Sequence, residues 1–102
     1  MYARLSRARF RPERSEEVIQ IARESLEIYR RARGFKGVTY LYDRASGWGF
    51  ALSQWETAAD AEAVVAQLRP TLDAFRPHRA DGGQDAPDVT GVLPTFEVIA
   101  QA

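Results

Sequence analysis

Side chains able to move a proton or grip a small molecule are sparse in this chain, and they group in a few places. His78 is the only histidine, and there is no cysteine, so thiolate chemistry and disulfides are excluded. By residue type His78 is the obvious general base. It lies between Pro77 and Arg79 at the head of a polar stretch, where exposure to solvent is the expectation. Asp81, Asp85 and Asp88 follow it without the spacing of a metal site, and no metal is expected. The aromatic candidates are Tyr40 and Tyr42 in VTYLYD and Trp55 at the end of GFALSQW, with Ala51 and Ser53 in the same run. Such residues can line an apolar pocket and hydrogen-bond a ligand; buried aromatics also simply fill cores. Trp55, Tyr40 and His78 are the candidates for catalysis, and Trp55, Tyr40, Tyr42, Ala51 and Ser53 those for ligand binding. Glycine-rich phosphate loops and nucleophile elbows are missing.

Arg4 raises a separate question. An arginine on a central strand has to pair with a carboxylate or bind an anion. Glu97, on the neighbouring last strand, is the expected partner.

The elements that must position these groups follow from patterning. Residues 2–10 alternate imperfectly and read as a first strand. Val18, Ile21, Ala22, Leu26 and Tyr29 recur at helical steps and give an amphipathic helix over about 13–32. Pro12 suits its first turn, and Gly34 stops it. A hairpin, 37–43 and 48–55, closes around Asp43–Gly47. Pairing Tyr40 with Ala51 and Tyr42 with Gly49 sets large residues against small ones. Thr57 and Asp60 resemble a capping box for a second helix with Ala58, Ala61, Val64, Val65 and Leu68 inside, interrupted at Pro70. Residues 77–90 form a polar loop that is expected to be mobile, and that is either a lid over the pocket mouth or a slack linker. GVLPTFEVIA reads as a last strand with an edge or bulge at Pro94.

The order β-α-β-β-α-β predicts one α+β domain over 1–102: a ferredoxin-like antiparallel sheet with its helices on one face. Val38, Tyr40, Tyr42, Ala51 and Trp55 then share one hairpin face, and Leu41, Trp48, Phe50 and Leu52 the other. With both faces apolar, a second sheet is expected to cover the free one, which makes the protein a homodimer. Lys plus Arg and Asp plus Glu each number 14, so no net field draws in nucleic acid or a membrane. The N-terminus lacks a signal-like apolar run, and a cytoplasmic protein is the default.

Gly34-Phe35-Lys36-Gly37 before the second strand and Gln54-Trp55-Glu56-Thr57 after the third resemble the antibiotic biosynthesis monooxygenase family. The likeness in element order spans nearly the whole chain, although the motifs are short. It implies an α+β barrel of two subunits joined sheet to sheet, with a pocket in each between helices and sheet. It also implies oxygenation of a small aromatic or quinol-type substrate without a cofactor; the alternative is a non-catalytic ligand-binding or stress-response protein. Trp55 and Tyr40 match pocket residues of the cofactor-free oxygenases. The asparagine four residues before the tryptophan is Ala51 here, and the tyrosine six after it is Ala61. The haem-degrading branch needs an asparagine, and this chain has none.

Overall fold

The computed structural model describes residues 1–80 and 94–102. Strand β1 (Tyr2–Arg9) leads through a 3₁₀ turn at Pro12–Arg14 into helix α1 (Ser15–Arg31). Glu16 and Glu17 in the first turn and Arg30 and Arg31 in the last match the helix dipole. Gly34, at φ +76°, turns the chain into β2 (Phe35–Tyr42); a Cβ there would strike the Asp60 carboxylate. Strand β3 (Trp48–Trp55) returns antiparallel, with Tyr40 opposite Ala51 and Tyr42 opposite Gly49, the register expected from the sequence.

Helix α2 (Ala58–Gln67) starts at Thr57, whose hydroxyl accepts the Asp60 N–H at 3.1 Å. Pro70 has no N–H to give to Ala66, so the chain breaks and resumes as α3 (Arg69–Phe75). Strand β4 is short, Phe96–Glu97, so Pro94 stands outside it.

The sheet order is β2-β3-β1-β4 with every pair antiparallel, compatible with a ferredoxin-like α+β fold. The helices pack on one face. Two apolar clusters form there: Tyr29, Trp55, Ala61, Val64 and Leu68, and a second around Ala8, Phe10 and Val18. The other face is apolar and exposed. Leu5, Leu41, Trp48, Phe50, Leu52 and Phe96 stand on it, from 37% exposed at Phe50 to 58% at Leu41. Among the described residues no helix is long and apolar enough to cross a membrane.

The start of the 77–90 stretch differs from the sequence expectation. Residues Arg76–His78 form a 3₁₀ turn, Arg79 is buried and bridged to Phe10, and the Ala80 N–H donates to the Arg9 carbonyl at 2.9 Å. Backbone pairing to β1 anchors this end, a signal that composition does not carry. The remainder of the expected lid or linker lies outside the described residues.

Candidate functional site

Between the helices and the sheet lies a cavity of about 510 Å³. Its origin is a floor of small residues. Ser6 faces Ala51, and Ala8 faces Gly49, on the helix side of the two central strands. Tyr40 and Tyr42 on β2, Val18, Ala22 and Leu26 on α1, and Val65, Leu68, Leu72 and Phe75 on α2 and α3 form its walls. A sealed void of 510 Å³ would cost about 12 kcal/mol at about 24 cal/mol per Å³, comparable to a small domain's whole stability. Such a space is not a packing fault; it is open to solvent and sized for a small molecule.

The polar groups of the wall are held in two serine–tyrosine pairs. The Ser15 hydroxyl donates to the Pro12 carbonyl at 2.6 Å and lies 2.8 Å from the Tyr42 hydroxyl. The Ser25 hydroxyl donates to the Ala22 carbonyl at 2.7 Å and lies 2.8 Å from the Tyr40 hydroxyl. A serine has one hydrogen, and here the backbone takes it. Tyr42 and Tyr40 therefore donate to the serines. Tyr29 is buried next to Tyr40; burial first, and then Tyr40, pushes its phenol well above the usual tyrosine range, with Arg4 pulling the other way. Tyr40 and Tyr42 have committed their hydroxyl protons to the serines. Toward a ligand these two present lone pairs, not the donors expected of them.

Of the five candidate binding residues, Tyr40, Tyr42 and Ala51 line the cavity. Trp55 and Ser53 do not. Trp55 is fully buried, packs on Tyr29 and Phe35 at ring-centroid distances of 6.2 and 5.7 Å, and donates its Nε1–H to Ser53 Oγ at 2.8 Å. It fills the corner between strand and helix. His78 also stands off the cavity wall. It is half-buried rather than exposed, because the 3₁₀ turn folds it back and its carbonyl accepts the Arg11 N–H at 2.9 Å. Its Nδ1 is enclosed with no hydrogen-bond partner among the described residues.

No family model matches the chain, and no curated protein matches it. The reading of the site therefore rests on its geometry. No carboxylate or imidazole lines the cavity among the described residues, whereas several arginines do. No group of three or more His, Asp or Glu residues able to hold a metal occurs among the described residues.

Ser15 and Ser25, absent from the candidates that the sequence offers, sit on the buried stripe of α1 with Val18 and Tyr29. A hydroxyl on an apolar stripe was the available signal. The pairing of Arg4 with Glu97 expected from the strand order does not form. The β1–β4 ladder is two pairs long, Glu97 stands exposed opposite Tyr2, and no ion pair joins it to Arg4.

Proposed function

We propose that this protein binds one small, largely apolar, ring-containing molecule per chain in the cavity between helices and sheet. The observation that carries this is the open 510 Å³ space over a floor of four small residues, walled by aromatic and aliphatic side chains. Binding without catalysis is the favoured reading, since neither a carboxylate nor an imidazole, the usual general bases, lines the described wall. The second reading is a cofactor-free monooxygenase of the kind the sequence resembles. In its favour, the aromatic walls suit a planar, electron-rich substrate that reacts with oxygen directly. On either reading the exposed apolar sheet face, with Trp48 and Phe50 stacked at 6.4 Å, is covered by a second copy in a homodimer.

Titrating the protein with 2-naphthol and a soluble naphthoquinol, while recording oxygen uptake, tests both readings. Saturable binding at one site per chain, lost in Ala51→Phe, supports the cavity; uptake of oxygen in the same titration supports the enzyme. Binding that survives Ala51→Phe refutes the location. Leu52→Asp puts a charge on the exposed face, and light scattering should then show a shift from dimer to monomer.

A further inference from the structure

We infer that the ligand carries a carboxylate, and that Arg4 holds it at one end of the cavity while the ring system occupies the rest. This deepens the reading of the cavity as a ligand site and depends on it.

Arg4 lies on β1, between β3 and β4, opposite Ser53. Its side chain enters the helix side, lines the cavity and faces Tyr29 and Tyr40. No ion pair or hydrogen bond ties it to a described residue, and no carboxylate shares the described wall with it. Arginine remains cationic in such a place, although burial lowers its pKa and the two phenols partly offset that. Tyr29 and Tyr40 face the guanidinium with phenol rings, and neither brings a carboxylate that would pair with it. A partly buried cation without a counter-ion destabilises a fold. Among the described residues Arg4 is such a cation, at the centre of the sheet, where an aliphatic side chain would pack against the helices. A group that weakens the fold and faces an open cavity is characteristic of a binding site.

Geometry then selects the anion. The guanidinium presents a planar fork that matches the two oxygens of a carboxylate. From Arg4 the cavity runs along β1 to Phe10, six residues or about 20 Å of extended strand, where Phe10 stacks on Phe75 at 5.2 Å. Arginines stand at both ends, but at the Phe10 end Arg76 is paired with Asp73 at 3.8 Å and Arg79 is buried beside Phe10. The charge without a described partner is at Arg4, and the aromatic surface is at Phe10. An aryl carboxylic acid with a fused or extended ring system fits that polarity.

The probes are 2-naphthoate and 2-naphthamide, nearly isosteric and differing in charge, titrated calorimetrically into the full chain and into Arg4→Met. The wild-type protein should bind naphthoate about tenfold or more tighter than the amide, the scale of a charge-assisted hydrogen-bonded contact. Arg4→Met should bind both equally, with its affinity for the amide kept. It should also melt at or above the wild-type temperature without ligand, which separates lost recognition from lost folding. Equal wild-type affinities for the two probes overturn the carboxylate and leave the cavity reading standing. Failure of both probes to bind overturns the cavity reading and this one with it. An Arg4→Met protein that is unfolded makes the guanidinium structural and also overturns the inference.

Discussion

Breaking the Ser25–Tyr40 pair tests the hydrogen bond assigned between them on the cavity wall. Tyr40→Phe removes the donor to Ser25 and also the oxygen beside the buried Tyr29 hydroxyl. One net hydrogen bond is worth about 1 kcal/mol, and a buried donor left without a partner costs about 1 kcal/mol or more in addition, so a loss of about 2 kcal/mol is expected. Ser25→Ala removes only the acceptor, since the Ala22 carbonyl stays within its helix. Its loss should be near 1 kcal/mol. In the double variant the shared bond is counted once, so the two single losses should exceed the double loss by about 0.5–1.5 kcal/mol. Urea unfolding of the four proteins supplies these values, and each kcal/mol should lower the melting temperature by about 4–8 °C. If the single losses add without coupling, Tyr40 does not donate to Ser25. Its proton is then free for a ligand, and the assignment of lone pairs to the wall is wrong.

Three further outcomes follow from local geometry. Gly47 has φ +82°, and a Cβ would lie 1.9 Å from the Phe10 carbonyl oxygen, so Gly47→Ala should destabilise by at least about 2 kcal/mol in denaturant. Trp55→Phe strips Ser53 of its donor and shrinks the corner plug; a loss of about 1–3 kcal/mol is expected with naphthol affinity unchanged, and a large fall in affinity would return Trp55 to the site. Asp43 is held below the usual carboxylate range by the Ser46 hydroxyl, Glu16 by a hydrogen bond from Arg44, and Glu56 by one from Lys36. Each lowered folded pKa adds stability that is complete above the unfolded values of about 3.9–4.3 and is lost as pH falls through the folded ones. Unfolding free energies should therefore fall between pH 5 and pH 3, less steeply in Asp43→Asn, and a rise over that interval would refute the assignment.

The fold was largely legible because its signals are local or periodic. The stripe of α1, the stop at Gly34, the Thr57 cap and the break at Pro70 each rest on residues a few positions apart. The hairpin register could be read because Gly49 and Ala51 can oppose Tyr42 and Tyr40 without crowding. The cavity walls were half legible for the same reason: the faces of β2 and β3 follow from alternation. What stayed hidden depends on the meeting of distant elements. The serine acceptors lie on α1, 27 and 15 residues from the tyrosines that donate to them. Ser6 and Ala8 complete the floor only through the β1–β3 register. Arg4 was recognised as needing an anion, but the length of the β1–β4 ladder, which decides whether Glu97 reaches it, is not written in either strand.

The two serine–tyrosine pairs make the cavity mechanically one-sided. On α1 the wall is tied to β2 by two directional bonds, which break when the helix slides by an ångström or two. Across the cavity, no side-chain hydrogen bond joins α2 or α3 to the sheet among the described residues, and Val65, Leu68 and Leu72 meet the space with apolar surface alone. Apolar contacts tolerate sliding, because they have no preferred direction. The α2–α3 wall also contains its own joint, where Pro70 interrupts the backbone ladder. The α2–α3 wall is thus the more yielding of the two along its length, although backbone bonds at Arg11–His78 and Arg9–Ala80 pin its far end to β1. Amide exchange in α2 and α3 should be governed by the yielding of this wall and slow when the cavity is filled, while the middle of α1 exchanges only on unfolding of the whole domain.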